Sequence, residues 1–328
     1  MGLTEWLLRR TPPRPFVVAA PGGPLTRIAV ERFCREHGWW PARSAAEANL
    51  LVVAGPANPE LEPYLDRVWD AIPAPRARAD IAIASDVPEA LTEAVERLRD
   101  VPRQRAETAR AFAEMGEGAH EMSCGSGMPD QHDHHGHDMS GMEMPGGMPM
   151  ADRDDDRDGL KLDVLHVPLG PALPDWPEGL VVHTVLQGDV IQSAEVEQIG
   201  HSGQTVEVPG LVHRLDSAAR LLSVAGWRDA ANTARRLRDQ APAGAPGAGM
   251  ERWAERVRRS RTLRWTLAGV GEHDGGDALT RLYGWLAGED SLVPLEVLPR
   301  LLVGRELAEA RLVVASAGRL VGEAHAHG

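Results

Sequence analysis

The chain is poor in several residue types, and each scarcity closes off a class of function. Its 328 residues include two cysteines, Cys34 and Cys124. That pair implies no disulfide framework, and a site needing four thiolates, zinc or iron–sulfur, is excluded within one chain. Lysine is almost missing: Lys161 is the only one, so arginine carries the positive charge, which reads as coding bias rather than function. Basic residues are outnumbered 35 to 48, for a formal charge of −13, which argues against a nucleic-acid binder that must neutralise phosphates. No apolar run reaches the roughly 18–20 residues that cross a bilayer. The opening MGLTEWLLRR is too short and too charged for a secretory signal. The expected location is the cytoplasm, with peripheral contact with the inner face of a membrane as the further option.

What is present suits a folded protein: 43% of the residues are hydrophobic, and the length fits roughly two domains. Three blocks are visible. In residues 1–115, PFVVAAPGG (15–23), ANLLVVAGP (48–56) and DIAIAS (80–85) read as strands, the second as one buried on both faces. Between and after them, residues 24–38, 58–72 and 87–100 carry apolar residues at helical spacing, with Asn58 and Pro59 as cap and first residue of the second helix. The order β-α-β-α-β-α predicts a three-layer α/β domain on a small parallel sheet. Residues 103–115 add a helical stretch.

Residues 116–158 lose all period and read as a disordered linker rich in His, Met and Asp. Residues 159–328 read as an α+β domain. GLVVHTVLQGDVIQSAEVEQ (179–198) is a hairpin turning at Gln187-Gly188-Asp189, and from residue 211 onward the pattern is that of a helical bundle.

The linker carries the densest set of candidate ligands. His120, His132, His134, His135 and His137 supply imidazoles, and Met122, Met128, Met139, Met142, Met144, Met148 and Met150 supply thioethers, with Cys124 at the edge. Soft sulfur ligands suit Cu(I), and imidazole suits Cu(II), Ni(II) or Zn(II). Copper or nickel is therefore the expected metal, at adaptable sites rather than one fixed geometry. The alternative is a tether of biased composition. Cys34 lies on the inner half of a helix and reads as core. The PGGP turn (21–24) precedes a helix, where backbone N–H groups can meet an anion, but it lacks a nucleotide-binding signature. Asp175, Glu178 and His183 flank the hairpin without the spacing of a catalytic set. Arg252, Arg256, Arg258, Arg259, Arg261 and Arg264 make one helical stretch basic, a solvated or docking face, or one for anionic lipid.

Two segments resemble neighbouring subunits of one enzyme family. EANLLVVAGPANPELEPYLDRVWDAIPAPR (47–76) and the strand after it are similar to the B-type subunit of NADH:quinone oxidoreductase (complex I), which is related to the small subunit of nickel–iron hydrogenases. LGPALPDWPEGLVVHTVLQGDVIQSAEVEQIGHSG (169–203), and the helices from 214 to 270, resemble the start of the D-type subunit, related to the hydrogenase large subunit. The resemblance implies two subunits fused in one chain, with complex I- or hydrogenase-like subunits as partners. The departures lie at the cofactor positions. Where the B-type family holds its cluster cysteines, this chain reads Ala19-Ala20-Pro21-Gly22-Gly23, and its next strand ends in Ser85-Asp86. Where the D-type family carries a quinone-proximal His, Leu173 and Pro177 stand. No iron–sulfur cluster is expected. The leading expectation is an accessory or assembly protein that keeps the inter-subunit interface without electron transfer. The alternatives are a copper- or nickel-buffering protein and a quinone oxidoreductase subunit whose cofactors sit on partner chains.

Overall fold

The structure, a computed structural model, describes residues 10–120, 153–155, 161–200, 208–241 and 248–321, and of residues 111–120, 153–155, 161–162, 248 and 321 it describes the backbone alone. The N-terminal half is built on a parallel sheet of Pro15–Ala19 (β1), Leu50–Ala54 (β2) and Ala77–Ile81 (β3), in that spatial order. All five residues of β2 are buried. Alternate side chains leave opposite faces of a strand, so a central strand covered on both sides needs the unbroken apolar run seen in the sequence. Leu50, Val52 and Ala54 pack with Val30 and Cys34 of helix α1 (Pro24–Glu36) and with Leu91, Ala94 and Leu98 of α3 (Val87–Arg99). Leu51 and Val53, with Phe16 and Val18 beside them, pack with Leu61, Leu65 and Ile72, which belong to α2 (Glu62–Ala71) and its flanks. Both crossovers step in the same direction across the sheet, yet α1 and α2 cover opposite faces. The two connections therefore have opposite hands, against the strong right-handed preference of such units.

Some boundaries differ from the sequence expectation. The third strand lies at Ala77–Ile81, earlier than 80–85, because Ala77, Ala79 and Ile81 point inward while Ile83 is 57% exposed. Asn58 does not cap α2. Its Oδ1 accepts from Glu60 N at 2.8 Å, an Asx turn that delays the helix to Glu62.

Two parts of the expected linker belong to regular elements. Helix α4 runs Val101–His120, its Ala-, Glu- and Arg-rich sequence favouring continuation. Arg153–Asp155 (β4) pairs with the start of Lys161–Leu169 (β5). The rest of that segment lies outside the described residues.

The C-terminal half joins an antiparallel sheet to a bundle. The sheet order is β4, β5, Leu180–Gln187 (β6), Val190–Gln198 (β7). Gly188, at φ +63°, opens the two-residue turn from β6 to β7, where a type II′ hairpin wants glycine. The sequence reading missed β5. Beyond its short pairing with β4 it is an edge strand with Pro168 in it, which a central strand would not tolerate. Helices follow at Gly210–Val224 (α5), Arg228–Gln240 (α6), Ala248–Arg258 (α7), Arg261–Leu267 (α8), Ala278–Ala287 (α9), Leu298–Leu302 (α10) and Leu307–Ser316 (α11). A small parallel ribbon, Leu292–Pro294 (β8) with Arg319–Val321 (β9), is the last pairing among the described residues. Their core gathers Leu215, Leu222, Ala234, Trp253, Val257, Leu282, Trp285 and Val313. The basic stretch from 250 is two helices, because Ser260 caps a new one by accepting from Leu263 N.

Strand β6 joins the halves. Leu180 and Val182 belong to the C-terminal core, whereas Val181 between them packs with Phe16, Leu51 and Leu65 of the N-terminal half, and Ile199 joins it there. All three β6 residues have no exposed surface. One strand thus contributes to two cores, which is why Leu180-Val181-Val182 at its start is an unbroken apolar run.

Candidate functional site at the junction of the halves

Beside the apolar contact made by β6 lies a buried charge network. Helix α1 packs its Val30 and Cys34 side on the sheet and carries Arg27, Glu31 and Arg35 at successive fourth positions, one ridge of a helix. From the other half, α5 supplies Asp216 and Arg220, and α6 supplies Arg235, Arg238 and Asp239. Arg27 Nη2 donates to Asp216 Oδ2 at 2.6 Å and also bonds Glu31. Arg238, fully buried, donates to the other Asp216 oxygen, lies 3.1 Å from Asp239 and sits 2.9 Å from Glu31 Oε2. That last contact is an ion pair without hydrogen-bond geometry, since Glu31 Oε2 has no hydrogen-bond partner. Arg35 bonds Asp239 across the junction. Arg235 donates to Asp175 Oδ1 at 2.6 Å, while Ser223 Oγ donates to Asp175 Oδ2 at 2.6 Å. Asp175 has φ +59°, a left-handed turn that Asp tolerates better than most residues.

Burial alone would raise the Glu31 carboxyl, but Arg27, Arg238 and Arg235 outweigh it and hold it at about 2. Asp216 feels the same opposition: burial raises it, and Arg27, Arg220 and Arg238 keep it well below the usual carboxylate range. Both are therefore anions at neutral pH. Outside the network, burial pushes the Cys34 thiol up to about 12, so this 1%-exposed residue is inert core, as its helical position suggested. Gly200 and Gly179 let the backbone close against Pro21 at the same junction, and Gly200 N donates to Glu60 Oε2 at 2.6 Å.

His120 is the last residue of α4, and Met122, Cys124, Met128, His132, His134, His135, His137, Met139, Met142, Met144, Met148 and Met150 lie outside the described residues. Among the described residues no three His, Cys, Asp or Glu side chains form a metal-binding group. His183 pairs with Glu197 on the exposed face of the hairpin, whereas Asp175 is held by Arg235 and Ser223. The basic helices lie at an open hollow of about 660 Å³. Their charge is partly neutralised there: Arg256 pairs with Asp229 and stacks over Trp227, and Arg259 pairs with Glu255. No helix among the described residues is long and apolar enough to cross a membrane.

The charge network itself is absent from the sequence-based expectations. Its visible signals in the sequence are Asp175, noted beside the hairpin, and Asp216-Ser217 between the apolar Leu215 and Ala218. Chemically it is a joint: the arginines around Glu31 and Asp216 hold these two carboxyls as anions, and among the described residues no nucleophile faces a base. No protein-family model, curated protein or solved structure matches the chain.

Proposed function

We propose that the chain is a non-redox accessory or assembly protein of a complex I- or hydrogenase-type enzyme, a B-type-like half fused to a D-type-like half and held in fixed apposition. The observation that carries this reading is the junction. Strand β6 serves both cores, and a network of buried ion pairs locks α1 to α5 and α6. Two modules with separate tasks need no such joint, whereas a stand-in for a two-subunit interface does. The cysteine count supports the absence of a cluster, since thiolates are its required ligands. The partners are subunits of the parent enzyme, met at the cytoplasmic side. The test is purification at native levels without added metal. Co-purification of oxidoreductase subunits, with no iron–sulfur absorbance in the isolated chain, is the expected result. A chain that carries four irons after anaerobic reconstitution would overturn it.

A second reading, copper or nickel buffering, draws on one specific feature, the five His and seven Met within residues 120–150. It predicts metal-loaded chain without partners in the same purification.

A further inference from the structure

A second polar cluster adjoins the charge network and shares Arg220 with it. Helix α5 carries His213, Ser217 and Arg220 at i, i+4 and i+7, one side of the helix. Glu178, from the turn before β6, approaches Arg220 of this set: it accepts from the Gly23 amide and lies within electrostatic reach of Arg27, Arg220 and Asp216, while His213 lies within reach of Arg220. In each of the four, one polar atom is shielded from solvent and has no hydrogen-bond partner among the described residues: Glu178 Oε2, His213 Nδ1, Ser217 Oγ and Arg220 Nε. Ser217 has no exposed surface at all.

Buried polar groups are paired in nearly all native structures, and each exception asks for a reason. Three exceptions along one side of α5, His213, Ser217 and Arg220, with Glu178 in charge contact with Arg220, point to a guest that pairs the three. Arg220 is the centre of the set. Its counter-ion is Asp216, 3.4 Å from Nε, and that carboxylate already serves Arg27 and Arg238. Across the junction five guanidiniums (Arg27, Arg35, Arg220, Arg235, Arg238) face four carboxylates (Glu31, Asp175, Asp216, Asp239), leaving one positive charge for Glu178 or a guest to balance. The free valences belong to a planar guanidinium fork, a hydroxyl and an imidazole, a set suited to oxygen atoms of an anion.

We propose that Arg220, Ser217 and His213, with Glu178 as the closing side, form a binding site for a small oxyanion of carboxylate or phosphate type between the two halves. Glu178 competes with the guest for Arg220, so protonating it opens the site. Burial raises its carboxyl against the pull of Arg27 and Arg220, which places that step above the usual range for glutamate. Arg27, Asp216, Arg220 and the Gly23 amide face Glu178, and Arg220, Arg319, Asp216 and Asp290 face His213. Of these two titrating side chains, His213 is held neutral down to about 4, so Glu178 sets the pH dependence.

The experiment is a thermal-shift titration of the full chain with sodium acetate and, separately, sodium phosphate, each against sodium chloride at matched ionic strength and at two pH values. A saturable upward shift with acetate or phosphate beyond that of chloride, larger at the lower pH, is expected. Arg220→Lys should weaken the apparent affinity roughly tenfold or more, because a point charge cannot replace the fork. Ser217→Ala removes an unpaired hydroxyl, so it should fold normally and weaken binding several-fold, which keeps the test open if Arg220→Lys does not fold. Arg256→Gln, at the distant hollow, should bind as the natural chain does. Glu178→Gln should abolish the pH dependence. Shifts equal to those of chloride, or unchanged affinity in the Ser217→Ala and Arg220→Lys chains, would overturn the proposal.

Discussion

Replacing Asp216 by Asn tests the joint between the halves, since it removes a charge while keeping the shape. The carboxylate is 7% exposed, accepts from Arg27 at 2.6 Å and from Arg238, and is the counter-ion of Arg220. Removing one member of a buried ion pair costs roughly 3–5 kcal/mol, because the remaining charge stays buried without compensation. Arg238 keeps Glu31 and Asp239, and Arg27 keeps Glu31, which places the expected loss near the lower end, about 3 kcal/mol. With a urea dependence of about 2–3 kcal/mol per molar, the unfolding midpoint should fall by about 1–1.5 M. The acid limb should change as well. Glu31 and Asp216 both titrate lower in the folded chain than in the unfolded one, so their contribution is complete above about pH 4.5. It is lost as the pH falls toward 2 for Glu31 and lower still for Asp216. The natural chain should therefore lose stability steeply below pH 4.5, and Asp216→Asn should lose less over the same range. Equilibrium urea unfolding at several pH values measures both effects. A midpoint unchanged at pH 7, or acid limbs that run parallel, would refute the reasoning.

Gly200→Ala should cost about 1–3 kcal/mol, read as a lower Tm, because its Cβ would come 2.1 Å from Asn58 Nδ2 and 2.6 Å from Pro21 Cγ. Gly188→Ala, with open space around it, should cost about 1 kcal/mol at most, from its positive φ alone. His213 is kept neutral by burial and by Arg220, at about 4 in the folded chain. Stability should therefore decline as the pH falls from 6.5 toward 4, and His213→Gln should flatten that decline in urea titrations. Replacing His132, His134, His135 and His137 by Ala should remove Cu(II) binding and spare most Cu(I) binding, and replacing the seven Met of residues 122–150 should do the reverse. Calorimetric titration at pH 7 measures this, and equal loss of both ions in both variants would contradict it.

The elements legible in the sequence are those whose environment leaves a local mark. ANLLVVAGP betrays a strand covered on both faces, and Gly188-Asp189 marks a turn that needs a positive φ. Strand β5 left no such mark, because much of it is an edge strand whose side chains are largely exposed or half-buried. The ribbon of β8 and β9 is three residues a side, too short for a period. The charge network is hidden for a different reason. Arg27, Glu31 and Arg35 at fourth positions look the same whether water or another helix faces them. Their partners Asp216, Arg238 and Asp239 lie about two hundred residues further on, and α6, with its charged RRLRD, passes for a solvated helix. Charge spacing within one helix therefore says what the ridge is, and only the tertiary contact says what it meets.

A single cleavage tests most directly whether the halves form one body. A site-specific protease sequence inserted between Gly146 and Gly147 would sever the chain within the stretch that the sequence marks as linker. After complete cleavage, the two pieces should elute together on gel filtration at micromolar concentration in low salt, and should separate more readily once Asp216 is changed to Asn. Pieces that elute apart in the otherwise natural sequence would contradict the joint on which the proposed function rests.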